Sequence, residues 1–271
     1  MLLVAGAAAC GGTPGGGSDL KSASRTGTIV WAVGDGANGS DQARQVAGLI
    51  AGDRPRRVLY LGDVYERGTA AEFRDHFATV YGSLARRMDP TPGNHDWGDH
   101  AVGYDPYWRK LKGRRLPHHY AFSAGGWRII SLNSETPRDG AQLAFLRREL
   151  ARAKGGCALA FLHRPRFNAG LHRDEERDVE PIWRVLRGKV AILLSGHDHN
   201  FQRFKPVAGT VQLIAGAGGR GRYHVNGGDR RLAFSDDGSY GALRMQLIAG
   251  RARLSMVAAS GDVLDRSTVR C

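Results

Sequence analysis

Val190-Ala191-Ile192-Leu193-Leu194-Ser195 runs directly into Gly196-His197-Asp198-His199-Asn200-Phe201-Gln202-Arg203. The uncharged run reads as a buried strand, and the glycine that follows ends it. In extended backbone, residues two apart project to the same side. His197 and His199 therefore present two imidazoles together, able to reach two separate ions about 3.5–4 Å apart. Four further polar clusters lie upstream, three of them after comparable apolar runs. Ile29-Val30-Trp31-Ala32-Val33 leads into Gly34-Asp35-Gly36-Ala37, Val58-Leu59-Tyr60-Leu61 into Gly62-Asp63-Val64-Tyr65, and Ala158-Leu159-Ala160-Phe161-Leu162 into His163. Gly93-Asn94-His95-Asp96 completes the set. A lone Gly-Asp at a strand end is an ordinary turn, because Gly tolerates positive φ and Asp bonds its own following backbone. In combination the clusters deliver carboxylate, amide-oxygen and imidazole groups to strand ends. Ligands in open α/β sheets gather beyond the carboxyl ends of the strands, so these groups are expected to converge on a two-metal hydrolase site.

These motifs resemble the calcineurin-like metallophosphoesterase superfamily, and within it the purple acid phosphatase-like branch, over roughly residues 28 to 260. Gly93 to Asp96 and Gly196 to Arg203 are the most specific of them; Pro92 before Gly93, Leu132-Asn133-Ser134 after a strand, and Gln142 to Leu146 opening a helix are further likenesses. The resemblance implies an α/β (α+β) fold, a four-layer α/β/β/α sandwich of two mixed sheets flanked by helices, with the metals at one sheet edge. It implies that Asp63 bridges two metal ions, that Asp35 and His199 hold the first, and that Asn94, through its amide oxygen, His163 and His197 hold the second. Such a mixed oxygen and nitrogen set suits Fe, Mn or Zn better than Ca or Mg. By the same resemblance His95 stands over the substrate, steadies the developing charge and protonates the leaving oxygen, with Asp96 orienting it, while a metal-bridging hydroxide is the nucleophile.

Two positions depart from the family pattern. The broader superfamily has Asp-x-His in the first motif, but Ala37 stands two after Asp35, leaving the first metal one imidazole short. Purple acid phosphatases compensate with a Tyr three residues after the bridging Asp; here Tyr65 follows Asp63 by two. Alternation would put both on one side, a loop would not, and Asn38 or water are the other candidates for that position. His163-Arg164-Pro165-Arg166-Phe167-Asn168 resembles the family's His-His-Pro loop, and His172 falls where related enzymes place a second substrate-side histidine. Arg164 and Arg166 could pair with a phosphate, against the plainer reading of solvated loop charge. His76, His100, His118 and His119 lack partners at useful spacing and read as surface or satisfied histidines.

At 271 residues, 42% hydrophobic and 24% charged, the chain suffices for one large core. The expected organisation is an export or lipoprotein-like signal remnant with a flexible linker over 1–27 and one catalytic domain over 28–271. Helices are expected at Asp41 to Ala51, Ala70 to Leu84, Gly140 to Ala153 and Val179 to Arg187. Further strands are expected at His119 to Ser123, Trp127 to Leu132, Val211 to Ala215, Ala242 to Ile248 and Ala252 to Ala258, these late strands forming the second sheet. The formal charge of +13 is carried mostly by Arg dispersed along the chain, including Arg54, Arg56, Arg57, Arg86 and Arg87. Without aromatic interleaving it supports a nucleic-acid partner only weakly.

Met1 to Ala9 is apolar and ends in Ala7-Ala8-Ala9-Cys10, followed by a Gly- and Ser-rich stretch to Ser24. This resembles the end of a bacterial lipoprotein signal, lacking a basic n-region and having Ala where Leu is usual. Nine apolar residues do not span a bilayer, so membrane contact is expected only through a lipid anchor at Cys10. The expected location is the bacterial cell surface or the secreted space, with a cytoplasmic protein bearing a disordered tail as the alternative. Cys157 and Cys271 then remain, either as a disulfide suited to an oxidising compartment or as two free thiols. Three functional readings compete: a phosphomonoesterase on a small phosphate ester, a phosphodiesterase on nucleotide, lipid or nucleic-acid diesters with the same metal core, and an inactive surface-binding protein. The joint presence of Asp35, Asp63, Asn94, His95, His163, His197 and His199 argues against the third. Oligomeric state is left open, and substrate preference is expected to reside in loops such as Gly98 to Leu116 and Gly218 to Gly238.

Overall fold

The computed structural model describes residues 27–153 and 155–271; the signal-like segment with Cys10 lies outside the described residues. The strands in chain order are β1 (Thr28–Val33), β2 (Arg57–Tyr60), β3 (Met88–Pro90), β4 (Tyr120–Ala124), β5 (Trp127–Ser131), β6 (Cys157–Phe161), β7 (Ile192–Ser195), β8 (Phe201–Phe204), β9 (Val211–Ala215), β10 (Leu232–Asp236), β11 (Gly241–Ile248), β12 (Arg251–Ala258) and β13 (Val263–Arg270). The helices are α1 (Asp41–Gly52), α2 (Ala70–Glu72), α3 (Ala78–Tyr81), α4 (Asn94–Trp97), α5 (Tyr104–Lys112), α6 (Gly140–Arg152) and α7 (Glu180–Leu186), with a π-helical turn at Phe73–Phe77 joining α2 to α3.

Two mixed sheets result, ordered β13-β12-β11-β1-β2-β3 and β10-β8-β9-β7-β6-β5-β4. β1, β2 and β3 are parallel in the first; β5, β6, β7 and β9 are parallel in the second. Alternation along β1 assigns the layers. Val30 and Ala32 enter the core between the sheets with Leu159, Phe161, Ile192 and Leu194. Trp31 and Val33 face outward beneath Val46 and Ile50 of α1 and Trp108 of α5. On the far side, Leu146 of α6 and Trp183 of α7 cover Ile130 and Leu193. Strands buried on both faces must be apolar throughout, which is why these runs were continuous rather than alternating. The expected four-layer sandwich is thus present.

The late strands divide differently from expectation. β9 does join the second sheet, but β11 and β12 extend the first, β11 pairing antiparallel with β1. Apolar periodicity identifies a strand without naming its neighbour. The helix expected at Ala70 to Leu84 stops at Tyr81 and includes the π-helical turn, whose Phe73 and Phe77 are both buried against an aromatic cluster with Tyr81, Tyr107 and Trp108. Cys157 and Cys271 form a disulfide at a sequence separation of 114, tying the start of β6 to the end of the chain just past β13, and so one sheet to the other. Among the described residues no helix is long and apolar enough to cross a membrane.

Candidate metal centre

Each motif residue sits just beyond the carboxyl end of a strand: Asp35 after β1, Asp63 after β2, Asn94 to Asp96 after β3, His163 after β6, and His197 and His199 after β7. The chain turns sharply there, with Asp35, Asp63 and His197 all at positive φ (59°, 70° and 71°). Gly93 is required by close approach, since a Cβ there would stand 2.0 Å from Oδ1 of Asp63. All but the rim residues are nearly inaccessible.

The side chains fall into two neighbouring sets. In one, the Tyr65 hydroxyl lies 2.9 Å from Oδ1 of Asp35 and 2.9 Å from Nε2 of His199. In the other, Nε2 of His163 lies 2.9 Å from Oδ1 of Asn94 and 3.1 Å from Nδ1 of His197. Asp63 reaches His163 at 3.4 Å. One ligand atom from each of Asp35, Asp63 and His163 falls within 4.8 Å of the others. The two-residue spacing therefore does not take Tyr65 away from the site. Asn38 is committed elsewhere, its amide donating to the Gly219 carbonyl and its oxygen accepting from Ser40.

The outer nitrogen of each imidazole is held from behind. Nδ1 of His163 meets the Leu61 carbonyl at 2.8 Å, Nδ1 of His199 the Gly221 carbonyl at 2.6 Å, and Nε2 of His197 the Glu175 carboxylate at 2.8 Å. Such partners fix ring orientation and leave the opposite nitrogen for a metal. Burial pushes Asp35 well above the usual carboxylate range, with the Asp63 charge adding to it. Burial opposes ionisation of Asp63 as well, but the adjoining His163 outweighs it and holds the carboxyl low, while Asp63 lifts His163 to about 10 against its own burial. Burial pushes His197 and His199 down to about 4, so both carry lone pairs at neutral pH. Buried carboxylates, imidazole nitrogens and an amide oxygen aimed at one another fit a pair of transition-metal cations, which would take the place of the buried proton on His163.

The remaining expected residues divide. His95 donates from Nδ1 to the Glu66 carbonyl at 2.5 Å, leaving Nε2 4.0 Å from Asp63 on the accessible rim. His172 lies against the His197 ring at 4.2 Å, with Nδ1 fixed by Asp198 at 2.9 Å. Asp96 does not contact the His95 imidazole. Its buried carboxylate instead accepts from the backbone N–H groups of Asp63, Val64 and Gly93, so it shapes the Asp63 turn. Arg164 is already paired with Glu135 and Glu175, and Arg166 with Glu180, which neutralises both guanidinium groups. His100 and His118, expected to be partnerless, converge on Asp105 at 3.1 and 2.7 Å beside Trp97. Three contributors escaped sequence reasoning: Glu175 behind His197, Asp198 holding His172, Asn200 and Gln202, and Tyr223 stacked on His199 at 4.0 Å. Asp198 stood inside a recognised motif; nothing in the sequence linked the other two to it.

The family model for the calcineurin-like phosphoesterase matches residues 29–201, and the chain belongs to that family. It is 26% identical over 188 residues to purple acid phosphatase 21 of Arabidopsis thaliana, covering 59% of this chain and 43% of that protein. The chain thus spans less than half the length of that curated relative. Among solved structures, a purple acid phosphatase from yellow lupin (Lupinus luteus) seeds superposes with a TM-score of 0.75 at 17% identity, over 90% of this chain and 53% of that one. GAP50, described as the anchor in the inner membrane complex of Plasmodium, gives 0.75 at 14% identity over 91% and 89%. A dimetal phosphatase from Danio rerio gives 0.63 at 16% identity over 90% and 99%. At these identities the structural likenesses establish the fold, the four-layer sandwich of this family.

Proposed function

We propose that the protein is a metal-dependent phosphoric ester hydrolase of acid-phosphatase type, acting on a small phosphomonoester at a dinuclear site outside the cytoplasm. The observation that carries this reading is the convergence of Asp35, Asp63, Tyr65, Asn94, His163, His197 and His199 at one end of the two sheets, with the Tyr65 hydroxyl between Asp35 and His199. Two bound cations of Fe, Mn or Zn type would supply Lewis acidity toward the phosphoryl oxygens and toward the attacking water. Asp35, Tyr65 and His199 would hold one and Asn94, His163 and His197 the other, with Asp63 shared. His95, anchored through Nδ1 with Nε2 turned toward the open rim, would donate a proton to the leaving oxygen. His172, on the His197 side, would orient the ester. The similarity to a purple acid phosphatase favours the monoester. The Cys157–Cys271 disulfide supports an exported location, because such bonds persist in oxidising compartments. The test is turnover of p-nitrophenyl phosphate against bis-p-nitrophenyl phosphate by metal-stripped protein refilled with Fe, Mn or Zn. The reading requires metal-dependent hydrolysis that favours the monoester; preference for the diester overturns that assignment.

A further inference from the structure

At the end of the first sheet remote from the metal centre, a cavity of about 1020 Å³ is lined by Arg54, Arg56, Arg57, Arg86 and Arg87. The placement follows from topology. Thr28 opens β1, Arg57 opens β2, and Arg86 and Arg87 precede β3, whereas the metal-centre residues follow the other ends of the same parallel strands. Six residues of β1 at about 3.3 Å each put roughly 20 Å between the two ends. Two arginine runs that look dispersed in the sequence are therefore brought onto one surface.

No acidic residue lines the cavity. Arg57 pairs with Asp89 at 3.1 Å and lies over Phe122. Arg54, Arg56, Arg86 and Arg87 have no ion pair among the described residues; of the acids nearest in sequence, Asp53 is turned toward Trp31 and Arg244, both at 2.8 Å, and Asp89 toward Arg57. Clustering like charges in one concavity is unfavourable unless an anion occupies it, and guanidinium groups match phosphate oxygens bidentately. Gly27, the first of the described residues, also lines the cavity.

We propose that this cavity binds clustered phosphate-type anions, and that it takes them from anionic phospholipid headgroups, setting the catalytic end away from the membrane. The binding is independent of the hydrolytic site. It is tested by co-sedimentation of the full chain with phosphatidylglycerol vesicles and with phosphatidylcholine vesicles, alongside calorimetric titration with pyrophosphate. The test variant is Arg54→Ala/Arg56→Ala/Arg86→Ala/Arg87→Ala. A control, Arg147→Ala/Arg148→Ala/Arg177→Ala/Arg187→Ala, removes the same number of exposed charges elsewhere. Phosphatidylglycerol binding that weakens with salt, falls about tenfold or more in the first variant and much less in the control supports the proposal. Pyrophosphate binding lost in the first variant, without vesicle binding, keeps the anion site but overturns its membrane source. Equal losses in both variants, or no binding of either probe, overturn the site itself. Unchanged thermal unfolding and phosphatase turnover in the first variant separate lost binding from misfolding.

Discussion

Asp96 spends both carboxylate oxygens on three backbone N–H groups of the turns that carry Asp63 and Asn94. Asp96→Asn would turn an NH2 toward at least one of those donors, and leaving a buried donor unsatisfied costs roughly 1–3 kcal/mol. A lowered urea midpoint with reduced metal retention is expected; an unchanged midpoint would remove Asp96 from this role. His95→Ala should keep the metal content and lose about 10²–10⁴ in turnover, the range for a positioned acid, and full activity would exclude His95 from proton transfer. The metal-free centre also stores protons. His163 is raised to about 10, so it is protonated at pH 7, and burial raises Asp35 as well, whereas cation binding requires the deprotonated form of each. Metal loading at pH 7 should therefore release protons and weaken as pH falls, which calorimetry in buffers of different ionisation enthalpy reads directly; buffer-independent heats would contradict it. At this scale the convergence of the candidate ligands was legible because these residues sit in short motifs at strand ends. Tyr65 was not settled by spacing, since the positive φ of Asp63 breaks the alternation that spacing arguments assume. Glu175 could not be read because only folding brings its loop behind His197.

The elements that carry the centre are the buried parallel strands, whose unbroken apolar runs made them the most readable parts of the chain. β13 escaped notice because an edge strand is exposed and charged, with Asp265, Arg266 and Arg270 in its eight residues. β3 escaped because it is three residues long. β11 was recognised as a strand but assigned to the wrong sheet, since its apolar positions suit either. The disulfide joins β6 to the residue after β13 across a separation of 114, and closing a loop of that order stabilises by roughly 2–5 kcal/mol. Cys157→Ser/Cys271→Ser should lower the urea midpoint accordingly, with metal content retained because neither residue touches the site. An unchanged midpoint would show that the two sheets hold the C-terminus without it.

For the molecule as a whole, two packed sheets place different chemistry at opposite ends of the same strands: a buried candidate ligand set at the carboxyl ends, and at the amino ends of β1 to β3 a cavity in which four of five arginines have no ion pair among the described residues. The net charge of +13 is thus partly localised, which composition alone could not reveal. The most direct test of the central claim is a metal count on reconstituted protein, wild type and Asp63→Asn, with phosphatase turnover measured on the same samples. A dinuclear centre sharing Asp63 predicts two ions per wild-type chain, with loss of at least one ion and of turnover in the variant. Turnover that persists in metal-stripped protein, or Asp63→Asn protein that keeps both ions and full activity, would contradict it.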